Sequence, residues 1–371
     1  MYSFKNDYSE GAHPHILKKL IETNFEQHLG YGEDDYSIEA KSLLKQKIAN
    51  PDAEIYFVSG GTQSNILVID ALLRAHEAVI CVSSGHIYTH EAGAIEAIGH
   101  RVITLESPSG KLHPTDVAQL LGQYTLRPHV LKPRMLYISN ATEVGTIYSQ
   151  TELRDLSTFC RAHDLLLFMD GARLGHALTA KNSDLTLEDI AQLTDVFYIG
   201  GTKNGALLGE AIVFNRPDLA LEFDYLLKQK GALLAKGRIL GIQFLELFKD
   251  NLYFDLARHA NKMAMKIAHA MRDEGYSFLT PPCSNQIFPI LPNKLIQKLS
   301  EKYLFYEWKV QDEDQTAIRL ITSWATDESK VDEFIEEIKN TSAAHDWWAT
   351  MEHSRAKILK DWYKKKQSEK F

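Results

Sequence analysis

From Glu54 onward, short β-branched or aromatic runs alternate with longer helical stretches. The strand-like runs are Ile55–Val58, Val79–Val82, Val102–Leu105, Met135–Ile138, Leu165–Met169, Val196–Ile199 and Ala211–Phe214. Between most of them lie Gln63–His76, His90–Ile98, Pro114–Leu121 and Glu152–His163, which read as helices. This alternation builds a mostly parallel sheet covered on both faces, an α/β architecture. The last two runs, with only Gly200–Gly209 between them, are close enough to predict a hairpin and one antiparallel strand. Ligands of such sheets bind at the carboxyl ends of the strands, so the pattern says where function is to be sought.

The flanks read differently. A helix is expected from Pro14, ending before Gly30-Tyr31-Gly32, and a second from Ser37 as its N-cap. Helices dominate from Pro217 to about Glu274. Tyr276–Leu279, Gln286–Leu291, Leu304–Trp308 and Ala317–Thr322 then read as strands, with helices at Pro292–Lys302 and Asp327–Asn340, a smaller α+β unit. Ser342–Phe371 reads as a helix with Trp347, Trp348, Met351, Ile358, Leu359 and Trp362 at its apolar positions. Its basic tip, Lys364-Lys365-Lys366, reads as a solvated end. No internal repeat is present.

Composition narrows the class. The 371 residues are 44% apolar and 24% charged, which excludes disordered and collagen-like chains. A net charge of −8 argues against a nucleic-acid partner. The 3 cysteines, Cys81, Cys160 and Cys283, are widely spaced and give neither a disulfide framework nor a CxxC metal site, which predicts a reducing compartment. The polar start lacks an apolar signal core, and no run reaches the roughly 18–20 apolar residues of a membrane span. The expectation is a cytoplasmic enzyme with no membrane partner.

Four loops follow the strands. Ser59-Gly60-Gly61-Thr62-Gln63-Ser64-Asn65 opens a helix; glycines admit an anion to the backbone and the helix start offers free N–H groups. It lacks the Walker lysine and GxGxxG spacing, and alone it fits a plain strand-to-helix turn. Asp170-Gly171-Ala172-Arg173 places an acid at the end of an apolar strand, where a helix N-cap is the bland role. Gly200-Gly201-Thr202-Lys203-Asn204-Gly205 places a lysine in a glycine-rich turn, where a surface lysine is the bland role. Ser83–Glu91 carries His86 and His90 four apart, but Glu91 is not placed as in HExxH, so no metal site is expected.

Together the loops say more. A phosphate cradle, a strand-end acid and a lysine after the next strand are what pyridoxal phosphate needs. The lysine forms a Schiff base, the acid keeps the pyridine nitrogen protonated, and the cradle holds the phosphate.

On these motifs the chain resembles the fold-type I pyridoxal-phosphate enzymes, and among them the β-eliminating lyase and L-threonine aldolase family. The resemblance runs from about Asn6 to Thr341. It rests on Gly-Gly-Thr-Gln-Ser-Asn at 60–65, His-Ile-Tyr-Thr-His-Glu-Ala-Gly at 86–93, Asp-Gly-Ala-Arg at 170–173 and Gly-Thr-Lys at 201–203. It implies a mostly parallel seven-stranded sheet in a large domain (51–250) and a small α+β domain (251–341). An N-terminal arm (1–50) would pack on the small domain and a partner subunit, and 342–371 would be an extension.

The resemblance implies roles for single residues. Lys203 is the Schiff-base lysine and Asp170 the pyridinium partner. Gly61 and Thr62 bind phosphate, with Gln63 close by and Thr202 beside the lysine. His86 stacks on the ring and is a candidate base. Arg173 reaches the cofactor's phenolic oxygen or the substrate carboxylate, which Arg319 grips and Asn6 touches. Tyr31, Arg238 and Lys230 reach across the interface of a homodimer or dimer of dimers. The family's aldolases usually have Asn-Thr-His-Asn-Gly after the fourth strand; here the loop reads Asn140-Ala141-Thr142-Glu143-Val144, with Glu143 in the histidine's place. The expected reaction is retro-aldol cleavage of a β-hydroxy-α-amino acid to glycine and an aldehyde. The alternatives are β-elimination from an aromatic or cysteine-like amino acid, aminotransfer, and a cofactor-free binding paralogue.

Overall fold

The chain opens on a two-residue strand, β1 (Tyr2–Ser3), in a computed structural model that describes residues 1–340. The C-terminal helix read from the sequence lies outside the described residues. Seven strands follow: β2 (Glu54–Val58), β3 (Glu77–Val82), β4 (Arg101–Leu105), β5 (Lys132–Ser139), β6 (Leu166–Asp170), β7 (Val196–Gly200) and β8 (Glu210–Phe214). They form one sheet in the order β2-β8-β7-β6-β5-β3-β4. Only β8 runs against its neighbours, so the predicted hairpin with β7 is present.

Strands β3, β6, β7 and β8 are buried along their whole length, as a sheet covered on both faces requires. Side-chain alternation divides them between two apolar layers. Ile80, Leu136, Leu167, Phe197 and Val213 pack with Leu44, Leu153 and Phe244. Val79, Met135, Phe168, Val196 and Ile212 pack with Leu67, Ile95 and Phe223 on the other face.

The smaller sheet holds β9 (Gln286–Ile287), β10 (Ile290–Pro292), β12 (Tyr306–Val310) and β13 (Gln315–Ile321), while β11 (Tyr303–Leu304) pairs parallel with β1. The long helix Leu252–Asp273 spans towards it, and Met263, Ile267 and Met271 join Leu291, Leu295, Ile318 and Phe334 in a third apolar cluster. After β1 the chain threads between the sheets: Phe4 donates its N–H to Leu304 and its carbonyl accepts from Ile321. That path brings Asp7 and Tyr8 to the carboxyl end of the large sheet.

Several expectations change. Asp34, not Ser37, caps the helix Asp35–Lys47; its carboxylate accepts from the Ser37 N–H and hydroxyl, each at 2.8 Å. Of the stretch His90–Ile98 only Ala94–Ala97 is helical; a separate short helix, His86–Thr89, precedes it, and Ala92 and Gly93 between the two take positive φ values. Tyr276–Leu279 makes only one isolated bridge, Phe278 to Pro289. Gln286–Leu291 breaks at Pro289, which has no N–H to give a ladder. Among the described residues no helix is long and apolar enough to cross a membrane.

Candidate active site

Strand β6 ends at Asp170, 4% exposed. Its Oδ1 accepts from the Ala172 N–H at 2.9 Å; its Oδ2 accepts from the Tyr137 hydroxyl at 2.5 Å and the Asn65 amide at 3.3 Å. Burial alone would raise this carboxyl. Nearby His86 and the hydrogen bonds from Tyr137, Tyr198 and Ala172 outweigh it and hold Asp170 below the usual carboxylate range. Burial, and then the Asp170 charge, push Tyr137 and Tyr198 far up, so both phenols stay protonated donors. The glycine that follows has a steric reason: a Cβ at Gly171 would overlap the Tyr198 carbonyl oxygen of β7.

The β7–β8 turn is closed by Gly201 and Thr202 donating to the Gly209 carbonyl, at 2.9 and 3.2 Å, and by the Gly209 N–H donating to the Thr202 hydroxyl at 3.0 Å. Lys203 projects from this turn into the cavity wall. Burial lowers its pKa, Arg173 adds to the effect, and Asp7, Asp170 and Glu210 pull against it; the net direction is down. A larger share of its amine is thereby neutral and nucleophilic.

Ser59, Gly60, Gly61 and Thr62 line the same cavity, which encloses about 280 Å³. They begin the helix Gly61–Leu72, whose N-cap, Gly60, supplies no side-chain cap. Free N–H groups at the start of a long helix beside a hydroxyl make an anion cradle. Gln63 does not line the cavity. Its Oε1 accepts from the Ser59 N–H and hydroxyl at 3.1 and 2.9 Å, so it shapes the turn instead.

His86 also lines the cavity, with Nδ1 2.8 Å from Glu91 Oε1. The same oxygen accepts from Asn65 at 2.7 Å, so Asn65 ties Glu91 to Asp170. With Glu91 accepting, the Nδ1 of His86 carries the proton and Nε2 is left for a ligand. The His90 ring stacks on His86, 5.6 Å between centroids.

Glu143 also lines the cavity. Its Oε1 takes the Ser139 hydroxyl at 2.6 Å and the His86 N–H at 3.2 Å, while Oε2 is buried without a partner. Burial raises this carboxyl, the Asp170 charge adds to that, and the Ser139 bond only partly offsets it. On the small sheet, Arg319 of β13 stands 4.9 Å from the ring centres of both Tyr306 and Trp308, and its buried Nε has no partner. It lies outside the residues that line the cavity.

Two residues sit in arrangements the sequence does not announce. Arg173 lines the cavity, but its Nε and Nη2 already grip Asp7 at 2.7 and 2.9 Å, so this side of the guanidinium is committed within the chain. Asn6 does not line the cavity. Its Oδ1 accepts from the Tyr8 N–H and the Ser9 hydroxyl, at 3.0 and 2.9 Å, and the turn it makes presents Tyr8 instead. Tyr31, Lys230 and Arg238 lie elsewhere. Lys228 sits over the Tyr31 ring, Lys230 pairs with Asp70 at 2.8 Å, and Arg238 donates to the carbonyls of Glu26 and Asn24. A larger groove of about 680 Å³ runs beside Arg238, between Leu20, Leu29, Ile239 and Ile242, away from the titratable cluster.

Sequence reasoning missed Asp7, Asn65, Tyr137, Tyr198 and Glu210. Tyr137 and Tyr198 look like core residues in apolar strands. Glu210 had a signal: an acid stands directly before the apolar run Ala211–Phe214 and faces a glycine-rich turn.

Comparisons with known proteins give the family and the fold. The Beta-eliminating lyase family profile matches residues 11–346. The low specificity L-threonine aldolase of Pseudomonas aeruginosa is 32% identical over 341 residues, covering 91% of this chain and 96% of that protein. The structure of the threonine aldolase of Leishmania major superposes with a TM-score of 0.91 at 46% identity, covering 92% of this chain and 100% of that one. The aspartate aminotransferase of Thermus thermophilus, 14% identical with a TM-score of 0.67 over 91% of each chain, shares the fold-type I architecture alone.

Proposed function

The chain belongs to the β-eliminating lyase family, and on that premise we propose that it is a pyridoxal-phosphate-dependent carbon–carbon lyase of the threonine aldolase type. It splits a β-hydroxy-α-amino acid into glycine and an aldehyde. The observation that carries this reading is the convergence of Lys203, Asp170 and the uncapped helix start at Gly61 on one cavity.

Bound there, pyridoxal phosphate supplies an aldehyde that condenses with an amine and a protonated ring that draws electrons from Cα of an amino acid. Lys203 is the amine that holds it. Asp170 stays ionised through its donors and keeps the ring nitrogen protonated. Gly61, Thr62 and Thr202 suit the phosphate, and His86 suits the ring face.

The substrate side follows from unpaired atoms. Arg319, with its free Nε, takes the carboxylate; a guanidinium fork suits that group. Arg173, locked by Asp7, stiffens the same wall, and Asn6 acts through the turn that carries Tyr8. Glu143 takes the β-hydroxyl at Oε2. As Cα–Cβ breaks, that hydroxyl proton passes to Glu143 and the C–O bond becomes the aldehyde carbonyl; Cα takes up a proton from water, Glu143 returns its own to water, and the Lys203 amine displaces the amino group so that glycine leaves. His86, through Nε2, is the second candidate base.

The reading extends to assembly and place. Ile21, Phe25 and Leu29 are 75%, 94% and 69% exposed, near the groove beside Arg238, which supports a homo-oligomer whose neighbour receives Tyr31, Lys230 and Arg238. Three unpaired cysteines support the cytoplasm. The test is an amino-acid panel: allo-threonine, threonine, phenylserine, serine, tyrosine, tryptophan and cysteine, assayed for glycine against α-keto acid. Glycine from the β-hydroxy amino acids is the expected outcome; α-keto acid from tyrosine, tryptophan or cysteine as the main product contradicts it.

A further inference from the structure

Besides Glu91, which holds His86 and Asn65, four carboxyl groups crowd the cavity and its immediate wall, and three have evident work. Asp7 is matched by Arg173 and by the Asn285 amide at 2.9 Å. Asp170 is saturated by Tyr137, Asn65 and Ala172. Glu143 holds Ser139 and keeps one oxygen for a ligand. The fourth, Glu210, is 3% exposed and takes no part in any of these sets.

Its position is specific. Glu210 opens β8, in register with Gly200 of β7 on one side and Val58 of β2 on the other. It therefore stands between the turn that carries Lys203 and the strand that leads into Ser59–Thr62. Its Oε2 accepts the Gly201 N–H at 3.0 Å, and the Thr202 hydroxyl also bonds to it. Both neighbours directly precede Lys203 in the chain, and Glu210 and Lys203 line the same cavity.

We propose that Glu210 governs whether the Lys203 amine carries its proton, acting through Lys203 and not on the substrate. The proposal rests on the role of Lys203 given above. An ionised Glu210 draws a proton onto the amine. A neutral Glu210 releases that hold, and burial then favours the neutral amine. The other groups facing the pair are accounted for. Arg173 and Asp7 offset each other, and Asp170 is ionised and fixed. His176 and His90 lie near Lys203, and Tyr198 and Tyr253 near Glu210. Burial pushes Glu210 up to about 8 and pushes Lys203 down, so the two titrations approach each other and become those of a pair.

The test measures modification of Lys203 by trinitrobenzenesulfonate against pH, in the full chain freed of cofactor with hydroxylamine, read by peptide mass spectrometry. In the natural chain the profile should show two steps. Glu210→Gln keeps an acceptor for Gly201 but carries no charge. The ammonium loses a stabilising partner, so the profile should collapse to one step, displaced to lower pH by about one unit, with modification about tenfold faster below the midpoint. An unchanged profile in Glu210→Gln overturns the proposal and leaves Glu210 as a structural acceptor. If the variant does not fold, the natural chain decides alone: a single lysine step overturns it. Glycine production by the natural chain is measured separately, so a chain without aldolase activity contradicts the proposed function while the profile still judges Glu210.

Discussion

Asp170 and Glu143 are both buried carboxyls on one cavity, yet their surroundings drive them in opposite directions. Asp170 sits on the floor, at the end of a central strand, where donors from β5, β7 and the helix after β2 surround it and hold it ionised. Glu143 sits on the rim, in a loop pinned to the segment before β9 by Thr280, Cys283 and Ser284, and burial raises it with one oxygen unpaired. The difference separates two tasks. A saturated group is a fixed charge; a group with spare hydrogen-bonding capacity and a raised pKa can exchange a proton with a visitor. Arg319, outside the cavity lining but with an orphan nitrogen, belongs with Glu143 in this respect.

The comparison breaks most severely at the floor. Lys203→Ala should abolish cofactor colour and all turnover, and Asp170→Ala should leave cofactor weakly bound and catalysis lost; visible spectra and glycine assays report both. Near-full activity in Asp170→Ala would move the electron-withdrawing role elsewhere. At the rim, Glu143→Gln should leave the spectrum normal and slow glycine release by about 10²–10⁴. Glu143→His should move the preference towards threonine-like substrates, and an unchanged substrate panel in both variants would make His86 the base. Across subunits, mixing Lys203→Ala chains with Arg238→Ala chains should restore part of the activity. No recovery despite proven subunit exchange would count against shared sites.

The smallest expected effect lies beneath the floor. His176 is wholly buried, both ring nitrogens lack partners, and burial lowers its pKa to about 4. Folding keeps it neutral where the unfolded chain would protonate it. Its contribution is therefore present above the ordinary histidine value and is lost as pH falls through the folded one, about 3 kcal/mol over that window. Urea unfolding of the natural chain and of His176→Asn between pH 7 and pH 4 checks this; equal slopes would contradict it.

The floor was legible in the sequence and the rim much less so. All seven strands of the large sheet were read from apolar runs, because central strands leave little choice of side chain. The strand-end motifs at Asp170 and Lys203 carry their own backbone demands, as the close approach of Gly171 to β7 shows. The small sheet was harder: β9 and β10 are too short to show a period, and Pro289 divides what reads as one run. Asp7 was passed over because its partner, Arg173, is 166 residues away, and no local pattern announces a contact made only when the N-terminal segment threads between the two sheets.

The central claim is that the floor holds pyridoxal phosphate through Lys203. Incubating the purified natural chain with pyridoxal phosphate, reducing with borohydride and mapping the peptides by mass spectrometry tests it directly. The account predicts one stoichiometric phosphopyridoxyl adduct, on Lys203. No adduct, or an adduct on another lysine with Lys203 unmodified, would contradict it.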